Sequence, residues 1–241
     1  MKTSEAHDTP SKSVSGVGPQ RPRLSRLPLA AFLVTATGLF LLAWGYWGAW
    51  LPHPVAGLNI LGIDLPEYVK FVPGVTSGQI SIKREIFFYP LLSLAMGLIL
   101  LGTIQRPALP RWLRAVLVLL AVPTALAMLP PAWTPALLRT PEFRLQVIYI
   151  LFLLLAVLFS PLIHRFLSDW WRGALLILAG VIPFQALSAY NRLLPALEQL
   201  YQQPLEPETA YYLVAMGAIL LGLGGALVLV SQWRQRSTTK A

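Results

Sequence analysis

Seven residues with chemical potential crowd one region of this chain: His53, Asp64, Glu67, Lys70, Lys83, Arg84 and Glu85. A histidine with carboxylates can hold a metal ion, and an acid with a base can transfer protons. Two adjacent cations can take an anionic partner. The spacing favours none of these. No HExxH or His-x-His pattern occurs, and the other histidines, His7 and His164, lie far away in the sequence. No Walker A sequence, no GxGxxG after a strand and no GxSxG elbow is present. With 0 cysteines, disulfides, thiolate metal sites and cysteine nucleophiles are excluded. No catalytic residue, metal or cofactor is therefore expected. The seven residues are a candidate outer surface only.

The local pattern explains most of them without a ligand. In "DLPEYVKFVPG", Asp64 suits a helix N-cap, Pro66 the first turn, and Glu67 the third position of a capping box. Pro73-Gly74 ends the helix. Leu65, Val69 and Val72 then share one face, and a helix this short needs a surface to lie on. Lys83 and Arg84 begin the next helix, with Glu85 as a neighbouring counter-charge. His164, beside Arg165, reads as an interfacial residue.

What must position these residues is a membrane domain. Hydrophobic residues make up 56% of the 241, and charged residues 12%. The charge is absent in blocks long enough for a helix to cross about 30 Å of hydrocarbon. The predicted fold is all-α, a polytopic bundle of six transmembrane helices near 27–50, 87–105, 112–130, 145–163, 173–190 and 210–231. Residues 1–26 are expected to be a disordered basic cytoplasmic tail, 51–86 an outer cap, and 234–241 a cytoplasmic C-terminal tail. The first apolar stretch is too long for a signal peptide and lacks a small-x-small cleavage site, so it reads as a retained helix. Short amphipathic helices are expected in the outer loops, the last carrying Leu193, Leu194, Leu197, Leu200 and Tyr201 at helical spacing.

Orientation follows from the basic residues. With both termini inside, the inner segments hold Lys2, Lys12, Arg21, Arg23, Arg26, Arg106, Arg111, Arg114, Arg165, Arg172, Arg234, Arg236 and Lys240, leaving six of the 19 outside. Trp112, Trp170, Trp171 and Trp233 mark the inner boundary, and Trp44, Trp47, Trp50 and Trp133 the outer one. Seven of the 8 tyrosines also gather toward the outer side. The net charge of +9 thus reports topology and anionic lipid, and no nucleic-acid partner is expected.

Inside the bilayer, no ionisable residue falls mid-helix, which argues against pumps and proton-coupled carriers. Pro123 and Pro183 each free a backbone carbonyl, and Gln185 beside Pro183 is a candidate polar lining for a pathway. Ala218, Gly222 and Ala226, four apart, form a candidate helix-packing face. Three functions fit. The leading one is a non-enzymatic subunit or accessory of a cell-membrane (plasma or inner membrane) assembly, with the lipid bilayer and other membrane subunits as partners. The second is a small passive permease. The third is a membrane enzyme with an outer-face site.

Overall fold

The structure, a computed structural model, describes residues 26–52, 59–130 and 133–238. His53, the basic tail ahead of Arg26 and the last residues after Thr238 lie outside the described residues. The elements run α1 (Arg26–Trp47), β1 (Ala49–Pro52), β2 (Asn59–Leu61), α2 (Leu65–Tyr68), α3 (Pro73–Thr76), α4 (Tyr89–Thr103), α5 (Arg111–Leu126), α6 (Pro135–Leu138), α7 (Arg144–Leu158), α8 (Ser160–Phe166), α9 (Asp169–Val181), α10 (Pro183–Tyr201) and α11 (Thr209–Thr238). Among the described residues, five helical segments are long and apolar enough to cross a membrane: Leu27–Trp47, Arg84–Thr103, Pro141–Leu158, Asp169–Tyr201 and Thr209–Arg234.

Several boundaries differ from expectation. The third predicted crossing is not among the five. Its helix α5 has 16 residues, about 24 Å of rise against about 30 Å of hydrocarbon. Pro123 falls in its last turn, and a turn at Ala127–Leu129 ends it. The fourth is broken at Phe159, ahead of Pro161, into α7 and α8. The surface helix expected after residue 190 is the continuation of α10. Together α9 and α10 span 33 residues. Leu193 and Leu197 are buried, and Gln202 in the left-handed conformation, φ 54°, stops the helix. The tail expected from residue 234 is helical through Thr238.

α1 ends earlier than expected because Trp50 turns inward. Its indole Nε1 donates to the Gly45 carbonyl at 2.9 Å, satisfying one of the last helical acceptors. The chain then enters the two-stranded β1–β2 ladder, with Leu51 opposite Ile60 and Pro52 opposite Asn59. Trp50 is thus fully buried, while Trp44, Trp47, Trp112, Trp133, Trp170, Trp171 and Trp233 are exposed as interfacial residues would be.

α11 is the centre of the bundle, packed between α1 and α9. Both contacts depend on glycine, because hydrophobicity gives no net drive between helices in lipid and close backbone approach does. A Cβ on Gly217 would lie 2.5 Å from Leu42 N and 2.7 Å from Gly38 O. One on Gly180 would lie 2.7 Å from both Ala218 O and Gly222 N. The carbonyl freed by Pro183 is that of Ala179, four residues earlier, and the buried Ser93 hydroxyl of α4 donates to it.

Tyrosines at the cap end of the bundle act as ties. Tyr46 donates to Phe87 O at 3.0 Å and Tyr190 to Trp50 O at 2.8 Å. Tyr68 and Tyr201 share a hydrogen bond of 2.7 Å. Burial, and then that bond, raise the Tyr68 phenol well above its ordinary pKa, so it stays a neutral donor. Tyr46 and Tyr190 thus reach backbone carbonyls while their rings pack in the core, the use a phenol suits where one end is apolar and the other polar.

Candidate functional site

The cap brings Glu67, Lys70 and Arg84 together. Arg84 stands in a 3₁₀ turn (Arg84–Phe88) leading into α4 and is only 7% exposed. Its Nη1 lies 2.7 Å from Glu67 Oε1 and 3.3 Å from Glu142 Oε1. Its Nη2 donates to Gln146 Oε1 at 2.6 Å. The guanidinium lies 4.3 Å from the centroid of Phe143, a cation–π contact. Lys70 Nζ lies 2.5 Å from Glu67 Oε2 and 3.1 Å from Glu142 Oε1. Burial pulls the lysine pKa down, but its hydrogen bonds to Glu67 and Glu142 more than offset this and leave it raised.

Two cations face two carboxylates, with Glu85 a third at the edge, so the cluster has no excess positive charge for an anionic ligand. What the cluster can do is latch. Gln146, held by Arg84, donates through Nε2 to Met128 O, so α2, the start of α4, the end of α5 and α7 are joined.

The other predicted residues stand apart. Glu85 Oε1 is 4.0 Å from Arg84 Nε, at the edge of the cluster. Lys83 is exposed. The Asp64 side chain caps no helix; it accepts from Leu61 N at 3.3 Å. The expected capping box does not form, because Glu67 turns to Arg84. Among the described residues no group of His, Asp and Glu can hold a metal.

The candidate polar pathway does not assemble either. Pro183 is buried, but Pro123 and Gln185 are exposed on the perimeter of the bundle. The polar side chains that are inside point at backbone carbonyls: Thr35 to Ala31 O at 2.8 Å and Thr124 to Leu120 O at 2.8 Å.

Sequence reasoning missed the exposed edge of α10. Gln185, Ser188, Arg192, Pro195 and Gln199 are all exposed and follow one helical face at steps of three and four. The edge runs into a 560 Å³ groove between α3, the following loop and α10, where Arg192 and Gln199 face Ser77 and Gln79. The signal was present as an i, i+3, i+7 polar pattern, obscured by ending the membrane helix at residue 190.

The end of the bundle opposite the cap carries a second buried pair. Arg172 Nη1 lies 2.5 Å from Asp169 Oδ1, and its Nη2 donates to Ile163 O at 2.8 Å and His164 O at 3.0 Å, closing the end of α8. Asp169 also accepts from Gln105 N at 3.1 Å and Gln232 Nε2 at 3.4 Å.

Comparison of the chain with protein-family models, with curated proteins and with solved structures finds no match.

Proposed function

We propose that this chain is a non-enzymatic subunit or accessory of a plasma-membrane assembly, crossing the bilayer six times with both termini inside and docking its partner along the outer edge of α10. The observation that carries this is Gln185. Its amide is exposed, makes no side-chain hydrogen bond among the described residues and lies on the membrane-length segment Asp169–Tyr201. An unpaired amide facing hydrocarbon costs roughly 2–7 kcal/mol, so a polar partner there is favoured. The stripe beyond it leads to the cap groove, which offers the same partner a contact outside the bilayer. The permease reading has less support, because the interior polar groups are spent on carbonyls. The enzyme reading has less support, because the outer charges cancel.

A photo-crosslinking side chain at Ser188 is expected to capture one defined membrane protein. The same group at Leu223, which is exposed on α11, is expected to capture lipid alone. Gln185→Leu with Ser188→Leu should reduce co-extraction of that protein about tenfold, the loss of one satisfied buried polar contact. Lipid adducts alone from Ser188, and a monomer after gentle extraction, would sink the reading.

The crossings are tested separately. Reporters after Gly74 and near Trp133 are expected outside, and those near Ala108 and after Lys240 inside. If Ala108 and Trp133 report the same side, the 16-residue α5 does not cross.

A further inference from the structure

We infer that the groove between α4, α5 and the α7–α8 break binds the phosphate headgroup of an anionic phospholipid, with Arg114 as the residue that recognises it. This rests on the membrane-spanning reading above, not on its orientation.

Arg114 projects from the first turn of α5, and no carboxylate among the described residues lies within ion-pair distance of it. The nearby acid, Asp169, is already held by Arg172, Gln105 and Gln232. Among the described residues the side-chain partner of Arg114 is His164, whose Nε2 lies 3.2 Å from Arg114 Nη1. The His164 Nδ1 lies 2.9 Å from Thr103 O. A carbonyl only accepts, so Nδ1 carries the proton and Nε2 presents its lone pair to the guanidinium. An imidazole in that tautomer offers Arg114 a hydrogen bond and no counter-charge. The Arg114 Nε is buried without a hydrogen-bond partner among the described residues, as are those of Arg84 and Arg172, whose other nitrogens, however, meet carboxylates. The result is a part-buried guanidinium whose charge no carboxylate among the described residues compensates, unlike Arg84 and Arg172. Burial makes such a charge costly unless an anion joins it.

The shape of the groove selects the anion. It encloses about 350 Å³ and is lined by Arg114, His164 and Thr103 at one end and by Ala115, Val118 and Val157 along its wall. A polar, cationic end joined to an apolar wall fits a molecule with a phosphate and an acyl chain. Arg111 and Trp112 at the start of α5 are exposed beside it, as at a headgroup interface. Guanidinium binds phosphate oxygens through paired N–H donors, and basic pockets between helices at the headgroup level are where anionic lipids dock.

The test uses the full-length protein in detergent. It is titrated with dioleoyl-phosphatidylglycerol, dioleoyl-phosphatidylcholine or inorganic phosphate, and retained lipid is read by native mass spectrometry. Phosphatidylglycerol is expected to be retained about fivefold better than phosphatidylcholine, the preference one basic side chain confers. Arg114→Gln should erase that preference. Ala115→Trp, at an exposed helical position on the wall, should lower phosphatidylglycerol retention without lowering the melting temperature of lipid-free protein, and so covers the case in which Arg114→Gln fails to fold. Equal retention of the two lipids by the wild type, or an undiminished preference in Arg114→Gln, overturns the inference. Displacement of the lipid by millimolar inorganic phosphate assigns the site to a free anion and overturns it as a lipid site. Retention does not depend on which face Arg114 occupies, so a reversed reporter topology and a failed lipid site are separate results.

Discussion

Gly217→Ala is expected to destabilise the protein by about 3 kcal/mol or more, the upper end of what overpacking costs, whereas Gly222→Ala is expected to stay within about 0.5 kcal/mol of the wild type. Both glycines lie in the middle of α11, five residues apart. The added methyl at 217 would meet backbone: Leu42 N at 2.5 Å, Gly38 O at 2.7 Å and Leu42 Cα at 2.9 Å. Backbone atoms of a packed helix cannot rotate aside, so α1 and α11 must separate along much of their length. Such a loss is a large part of the roughly 5–15 kcal/mol that typically holds a fold together. A methyl at 222 would have nothing within 4 Å, and alanine favours the helix more than glycine does. Thermal unfolding of the two purified variants in one detergent, followed by tryptophan fluorescence, makes the comparison. Equal losses would mean that the α1–α11 contact is not the close approach described.

That contrast shows what was and was not legible in the sequence. Small residues on α11 are visible in "AMGAILLGLGGALVLV", and the four-residue spacing selects Ala218, Gly222 and Ala226. The structure places Ala218 and Gly222 against Gly180 of α9 and uses Gly217 and Gly224 against α1, where a Cβ on Gly224 would overlap Thr35. One helix carries two close-contact faces, and spacing alone does not say which neighbour takes which. Hydropathy blocks located the apolar segments well because each is a local property. Their ends were less legible. Trp50 closing α1, Phe159 breaking α7 from α8, and Leu193 and Leu197 carrying α10 past residue 190 all depend on tertiary contacts.

The candidate site divides in the same way. Glu67 and Lys70 share a helical turn, and Arg84 stands out as a cation on the side where cations are sparse. Nothing local links them to Glu142 or Gln146, which reach Arg84 across 58 and 62 residues of sequence. Without those partners, Arg84 looked available to an anion. With them, its charge is cancelled, whereas Arg114, at the other end of the bundle, is a part-buried cation with no carboxylate within ion-pair distance among the described residues, although topology alone had seemed to explain it.

Glu67→Gln and Glu142→Gln are each expected to cost about 1 kcal/mol, while the double variant costs about 3–5 kcal/mol, the penalty for stranding a buried charge. The carboxylates are redundant: Arg84 and Lys70 each reach both. Their side chains are 38% and 49% exposed, so either ion pair alone is screened by water and weak. Arg84 has no such recourse. Its side chain is 6% exposed, and with both acids neutralised its guanidinium keeps Gln146, the face of Phe143 and, among carboxylates, Glu85 alone, whose Oε1 is 4.0 Å from Nε. Lys70, at 32% exposure, can turn to water, so the excess over additivity belongs to Arg84, within the roughly 0.5–3 kcal/mol that coupled neighbours show. Adding Arg84→Met to the double variant should therefore restore stability, although the last substitution removes yet another polar contact. Melting temperatures of the five proteins, read at low and high salt, complete the cycle. A triple variant no more stable than the double would mean that Arg84 is not penalised by its burial. The cluster would then have to be reconsidered as a site whose charges are reachable from water, rather than as the latch that fixes the cap to α7.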